Sequence, residues 1–413
     1  MLPDHNAIEK TIDELIPSAG DFLCRLIAFP STSGNEHELM CWAEGEFRKL
    51  GVEVTRVPLS DSIRQDEDYS SPVADISYEG RFNLRLRLPG GGGGKRLLLN
   101  SHVDVVPPSE GQTGAFSPVE RDGTVYGRGA CDAKGQVATI YLVLAALERL
   151  DVRLVGDLVA HVVNEEENGG NGTLAMIRAG EEADGCIVME ATTNKIFTSV
   201  RGAVWFRILC RGTPGHSGRL SDTVSALALA RRAMDRLEKY HDDLLAGSRG
   251  IPLFDKYEDP MPITFGRCTA GDWPATAPSR AVVEGVLGLL PNKTRHEVMA
   301  EMHSALADGG PPPLAERVQL EFTYRHDSHV LDPGHPLVEG LKRCCADWGL
   351  PAEVDAMTAS CDSWWYNNQL GIPTVVYGPG TLAYAHSNEE QIKLSQIAEA
   401  GRVLSELAMR WCG

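Results

Sequence analysis

Apolar residues recur at helical spacing near the N-terminus, at Ile8, Ile12, Leu15, Ile16, Phe22, Leu23 and Leu26, and predict a helix over 7–28. Residues 35–50 repeat the pattern and stop at Gly51, a residue suited to a helix end. Shorter apolar runs then take over. NLRLRL at 83–88 and RLLLNSHVDVV at 96–106 read as strands, and the PGGGGGK between them reads as a flexible hairpin connection. It is not a phosphate loop: GxxxxGK[ST] requires Gly at 89 and Ser or Thr at 96, where the chain has Pro89 and Arg96. A helix over 135–150, an apolar strand at 157–163, a helix over 172–180 and a short buried strand at 186–190 follow. This alternation predicts an α/β domain with a mainly parallel central sheet.

From about residue 200 the rhythm becomes strand, helix, strand, strand, helix, strand, ending with RVQLEFTYRH. That is the split βαβ order of a ferredoxin-like unit, inserted into the first domain. The α/β pattern then resumes, with a helix at 336–348, a strand at 373–378 and a last helix at 389–410. The expected organisation is a catalytic domain from residues 1–198 and 328–413, interrupted by a lid and dimerisation domain at 199–327.

A chain of 413 residues, 43% apolar and 23% charged, has room for two such cores. Its net charge of −18 argues against nucleic acid and anionic membranes as partners. The N-terminus lacks a basic segment followed by an apolar one, and no window approaches the length of a membrane span. The ten cysteines form no CxxC pair and no disulfide framework. A cytoplasmic protein with reduced, mostly buried cysteines is expected.

The chemistry lies where apolar runs end. In open α/β sheets, ligands bind beyond the carboxyl ends of the strands. His102 and Asp104 follow RLLLN, Asp132 follows VYGRGAC, and Glu165, Glu166 and Glu167 follow DLVAHVVN. Glu190 follows CIVM, and His386 lies shortly after PTVVYGPG. One histidine or one acidic run is ordinarily a satisfied or solvated group, and His161, inside an apolar strand, is read that way. Five such groups at one end of one sheet point to a divalent metal, with zinc, cobalt or manganese suiting mixed imidazole and carboxylate donors. Positions i and i+2 of a strand face the same side, so Asp104 is expected to accept the His102 ring proton that a metal leaves unused.

HVDVVPP, GRGACDAKG, NEEENGGNG, VMEAT and AHSNEE together resemble, in order and spacing, the dinuclear zinc deacylase and peptidase family. That family includes acetylornithine deacetylase, succinyl-diaminopimelate desuccinylase, aminoacylase-1 and glutamate-releasing carboxypeptidases, and the resemblance spans nearly the whole chain. It implies two divalent ions: His102 and Glu190 on one, Glu167 and His386 on the other, and Asp132 bridging both. It implies Glu166 as general base, with Gly170-Asn171-Gly172 setting the register of the glutamate triplet, and Asp104 as orienter. It also implies a cis peptide at Asp132–Ala133. In GTPGHSGR, His216 matches a histidine that reaches substrate from a partner subunit, so a homodimer through the lid is expected. Two substrate-carboxylate anchors of many relatives are absent, replaced by Ala275 and Gly288; either Arg280 or Arg325 substitutes for them or the substrate lacks that carboxylate, and Gly380 is a further expected substrate contact. Trp364, Trp365 and Tyr366 line an acyl pocket or belong to the core. The expected activity is hydrolysis of a small amide, releasing an acyl group from an N-acyl amino acid or similar amine. A dipeptidase or carboxypeptidase, or an amidohydrolase of a non-peptide N-acyl or N-formyl amine, is the alternative. A non-catalytic binding protein does not suit the complete ligand set.

Overall fold

The run Leu97-Leu98-Leu99 is apolar on both sides, so it forms a strand only where both sheet faces are covered. In the computed structural model, which describes all residues except 1–2, 74–75, 219–222 and 308–312, Leu97 and Leu99 enter one hydrophobic cluster and Leu98 another. All three are fully buried, each contributing about 1.5–3 kcal/mol.

The first part of the chain runs α1 (His5–Ile27), α2 (His37–Arg48), β1 (Glu53–Pro58), β2 (Phe82–Leu88), β3 (Leu97–His102), β4 (Val119–Arg121) and β5 (Thr124–Tyr126). It continues with α3 (Lys134–Arg149), β6 (Leu158–Val163), α4 (Asn171–Arg178), β7 (Gly185–Val188) and β8 (Ile196–Val200). Next come β9 (Gly202–Arg211), α5 (Ala226–Gly247), β10 (Ile263–Ala270), β11 (Arg280–Leu289), α6 (Arg295–Ala307) and β12 (Val318–His326). The last part is β13 (His329–Val330), α7 (Pro336–Asp347), β14 (Val354–Met357), β15 (Thr374–Val376), β16 (Gln391–Lys393) and α8 (Leu394–Cys412).

The central sheet has the order β1-β2-β6-β3-β7-β15-β8-β13, with β14 also paired to β8. Its middle, β6-β3-β7-β15, is parallel. The β1-β2-β6 side and the β15-β8-β13 side are antiparallel, so the sheet is mixed rather than mainly parallel. The glycine run also corrects the expected hairpin, because β6 lies between β2 and β3. The glycines serve close approach instead: a Cβ at Gly90 would lie 2.2 Å from the Gly156 carbonyl oxygen, and one at Gly94 would lie 2.3 Å from the Gly156 nitrogen. Helices α1, α3, α7 and α8 cover one face through Ile12, Val143, Leu341 and Leu404. Helix α4 and the turn Trp364–Tyr366 cover the other, so the aromatic run is core rather than pocket lining. The final helix begins at Leu394, later than expected, because Gln391–Lys393 pairs with β5 as a strand.

Between Val200 and Gly202 the chain passes from β8 into a second sheet, β10-β11-β9-β12, antiparallel throughout. Its order and its two helices match the ferredoxin-like expectation. Helices α5 and α6 cover one face around Phe206, Leu237, Val298 and Met302, a core of its own that Ala356 of β14 joins from the central sheet. All ten cysteines are unpaired, and Cys268 is exposed. Among the described residues no helix is long and apolar enough to cross a membrane.

Beneath the glutamate loop, Arg81 is buried between two buried carboxylates, 2.7 Å from Glu36 and also bonded to Glu165. Arg81→Met is expected to destabilise the protein by about 3–5 kcal/mol, the cost of uncompensated buried charge. Burial already raises the Glu36 carboxyl to about 8 although Arg81 opposes it. A carboxyl raised on folding loses its stabilising contribution as pH rises, so the deficit of the variant should be larger at pH 8 than at pH 5. Urea unfolding at both pH values measures it, and equal deficits would contradict the charge argument.

Candidate metal centre and its cleft

His102 is the last residue of β3, and its ring is 2% exposed. The strand ends there, so Asp104 is not on it, yet its carboxylate still pairs with the ring as expected, and its main chain comes closer still. The His102 Nδ1 lies 3.0 Å from the Asp104 backbone oxygen and 3.5 Å from its carboxylate. The Asp104 carboxylate also accepts the backbone N–H groups of Glu166 and Glu167, each at 3.1 Å. One residue thus orients the imidazole through its main chain and the glutamate loop through its side chain.

Opposite His102, Asp132 stands just before α3, and the Asp132–Ala133 peptide is cis. The loop leading to it is held by Glu390, which accepts from the backbone nitrogens of Gly129 at 2.9 Å and Cys131 at 3.2 Å. Arg128 donates to the same carboxylate at 2.6 Å. Glu390 lies four residues after His386, so it clips the aspartate loop to the histidine loop.

The glutamate triplet divides three ways. Glu165 adopts a left-handed backbone (φ 61°) and turns into the interior, bonded to Arg81, to Tyr78 at 2.8 Å and to Asn171 at 3.0 Å. Glu166 and Glu167 face the cleft. The glycines that follow are required by close packing: a Cβ at Gly172 would lie 1.9 Å from the Asn164 carbonyl oxygen, and Gly170 has φ 74°.

The donors assemble into two triplets. His102, Asp132 and Glu190 form one, and Asp132, Glu167 and His386 the other, with donor atoms in each within 4.8 Å of one another. His102 Nε2 is 3.2 Å from Asp132 Oδ1, and His386 Nε2 is 3.3 Å from Asp132 Oδ2 and 3.0 Å from Glu167. Burial raises the Glu166, Glu167 and Glu190 carboxyls, and each also feels neighbouring carboxylates. Hydrogen bonds to Asp132 and Glu167 raise the His386 imidazole to about 11. A crowded set of buried oxygens with only two imidazoles among them is short of positive charge, and that shortage, together with the N and O donor types, fits a pair of divalent cations. A third cluster, His5, Asp347 and Glu406, is different because Arg410 already sits 2.7 Å from Asp347 and 2.5 Å from Glu406.

The metal donors open into a cleft of about 420 Å³ walled by Arg201, Trp205 and Tyr324 among others. None of these three stood out in the sequence. Arg201 is the link residue between β8 and β9, bonded to the carbonyls of Thr358 and Gly202. Burial lowers its guanidinium to about 10. A Cβ at Gly288 would lie 2.6 Å from Arg201 Nη1, so Arg201 occupies the space that a side chain at 288 would need. The expected substrate contacts are elsewhere. Arg280 is exposed at the start of β11, Arg325 donates to the Tyr69 carbonyl at 2.5 Å, and neither lines the cleft. Gly380 (φ 86°) packs behind the site against Cys131. His216 is exposed and outside its own chain's cleft, its Nδ1 accepting from Gly218 at 3.1 Å; Arg219 of the same motif lies outside the described residues.

A mixed sheet presenting two carboxylate–imidazole triplets at its strand ends, with a spare glutamate beside them, defines a metal-dependent hydrolase. The chain belongs to peptidase family M20/M25/M40, whose profile matches residues 98–410. It is 25% identical to the N-formyl-4-amino-5-aminomethyl-2-methylpyrimidine deformylase of Bacillus subtilis, over 98% of this chain and 96% of the relative. It is 26% identical to the acetylornithine deacetylase of Klebsiella pneumoniae, over 94% and 96% of the two chains. Among solved structures, the YxeP protein of Bacillus subtilis, a dinuclear metal-binding peptidase of the M20 family, superposes with a TM-score of 0.65 at 15% identity, covering 97% of this chain and 99% of that one. The chain is accordingly an enzyme, a metal-dependent hydrolase of amide bonds.

Proposed function

We propose that the protein is a deacylase that releases an acyl group from an N-acylated amino acid or a similar small amine. The observation that carries this reading is the pair of donor triplets sharing Asp132, with Glu166 next to both and committed to neither. His102 and Glu190 would hold one divalent ion, Glu167 and His386 the other, and Asp132 both; zinc is the proposed metal, with cobalt or manganese as substitutes. Bound there, the ions supply Lewis-acid polarisation of the amide carbonyl and a lowered pKa for the attacking water. Glu166 takes the proton of that water and returns it to the departing amine nitrogen. Asp104 fixes His102 and the Glu166–Glu167 backbone, and Glu390 fixes the approach to Asp132.

Residues 199–327 act, in this reading, as a lid over the site, and the lid pairs two chains into a homodimer. Support comes from the exposed edge strand β10 and from Trp273, which is 70% exposed beside it. The His216 loop is tied to the Trp273 turn, with Ser217 donating to the Ala275 carbonyl at 3.0 Å, so pairing here would carry His216 toward the partner's cleft. The unpaired cysteines are consistent with a cytoplasmic location.

A second reading is favoured by Ala275 and Gly288: without the usual carboxylate anchors, the substrate is a non-peptide N-acyl or N-formyl amine. One experiment addresses both readings. Metal-free protein reloaded with zinc, cobalt or manganese is assayed on N-acetyl amino acids, dipeptides and N-formyl amines. Amine release that requires the metal is expected from at least one class. Release that persists after chelation, or none from any compound by fully loaded protein, overturns the assignment.

A further inference from the structure

A second cavity of about 390 Å³ adjoins the metal cleft and shares Trp205 and Val286 with it. Its floor is a cross-strand row on the open face of the second sheet, where Thr264 pairs with Val286 and Val286 with Trp205. Its opposite wall is Pro72 and Val73, from a loop outside that sheet. This loop is anchored on both sides of the cavity: Ser71 donates to the Thr323 carbonyl at 2.7 Å, and the Val73 nitrogen donates to Asn168 at 2.8 Å. Asn168 directly follows Glu167, so the wall is tied to the metal loop itself. The Val73 side chain is exposed (49% for the residue), although its own backbone nitrogen is anchored. The charged groups at the rim already satisfy one another, with Glu284 bonded to Arg207 at 2.9 Å and to Arg267. The space is therefore largely apolar, shares two wall residues with the metal cleft and holds no uncommitted charge at its rim.

We propose that this cavity is a specificity subsite that seats a planar apolar group of the substrate, one or two fused rings in size. The proposal rests on the hydrolase reading of the neighbouring cleft. A cavity of about 150 Å³ suffices for benzene, so the present one admits a larger ring system. Trp205, tilted at 33° against Tyr324 with centroids 5.6 Å apart, lines both spaces and so supplies an aromatic ring where they meet.

Gly266 allows a test. It lines the cavity, and a Cβ added there meets nothing within 4 Å, so Gly266→Trp should fill the cavity without disturbing the backbone. Val73→Asp, at an exposed position, is a second variant with little bearing on folding. The probes are 2-naphthylacetate, standing for an acyl-side product, and 2-naphthylmethylamine, for an amine-side product. Both are titrated calorimetrically into zinc-loaded wild type and variants. One of the two is expected to bind the wild type and to lose about tenfold or more in affinity in each variant, as burial of a ring predicts; which one does so assigns the side of the amide. Equal affinities in all three proteins, or no binding to the wild type, overturn the subsite. Amide hydrolysis is followed on the same samples. Turnover without an effect on naphthyl binding would remove the subsite and leave the hydrolase reading standing; lost binding without turnover on any amide would do the reverse.

Discussion

Glu166→Gln is expected to lower kcat by about 10³-fold on any amide substrate, within the range for loss of a general base, while the protein still binds two divalent ions per chain. Glu166 lines the cleft but belongs to neither donor triplet. Asp104 holds its backbone nitrogen rather than its carboxylate, so glutamine leaves the loop anchored. Burial raises the Glu166 carboxyl well above the usual range; His102 opposes this, and Glu190, Asp362 and Glu167 add to it. A carboxyl moved toward neutrality suits a group that must take a proton and return it. The same shift has a sign in stability. In metal-free protein the folded state keeps this proton at pH values where the unfolded chain has lost it, so stability falls as pH rises. Glutamine cannot titrate, so metal-free E166Q should lose less stability between pH 5 and pH 8 than metal-free wild type. Steady-state kinetics, metal analysis and urea unfolding at the two pH values measure the three effects. A variant that keeps its metals and turns over within tenfold of wild type would exclude Glu166 as the base.

The residues that gather at the site were readable in the sequence because each follows an apolar run, and a parallel βα unit places such positions together. His102 after β3, Asp132 before α3 and Glu190 after β7 are of this kind. What escaped was contact that no local pattern encodes. The antiparallel flank formed by β1 and β2 was hidden because neighbours in sequence are not neighbours in the sheet, and β6 enters between β2 and β3 from 70 residues further on. The glycine run looked flexible, yet it is a tight crossing against Gly156. Arg201 could not be distinguished from any strand-end arginine until Gly288 was seen to vacate its space. Glu390 looked like one acid among several in AHSNEE, and only folding brings it to the Gly129 and Cys131 nitrogens. The backbone carbonyl of Asp104 escaped for a related reason: the strand stops two residues before Asp104, and the turn that follows brings its main-chain oxygen closer to the ring than its carboxylate.

Asp132→Asn should have a wider effect than E166Q, because among the described residues Asp132 alone belongs to both donor triplets. Its two oxygens face different imidazoles, Oδ1 toward His102 and Oδ2 toward His386. A carboxamide keeps one oxygen and turns the other into an N–H donor, which no cation accepts as a ligand. Metal content is expected to fall from two ions per chain to one or none. Changes behind a ligand already cost 10–100-fold in metal affinity, so loss of a shared ligand should exceed about 100-fold. Stability offers a readout apart from activity. Free zinc at about 100 times its Kd adds about 2.7 kcal/mol per site to a wild-type chain, and most of that gain should be missing in D132N. The metal-free proteins should diverge as well. The His386 imidazole is raised to about 11 by Asp132 first and Glu167 second. A histidine raised on folding contributes stability that is fully present below its unfolded pKa and is lost as pH rises through the folded one. Removing the Asp132 charge therefore destabilises metal-free protein at pH 6, whereas E166Q carries no such penalty. If D132N retained two tightly held ions and the full zinc-dependent rise in unfolding temperature, the shared-carboxylate arrangement would have to be abandoned, and the two triplets would become separate sites with no common ligand.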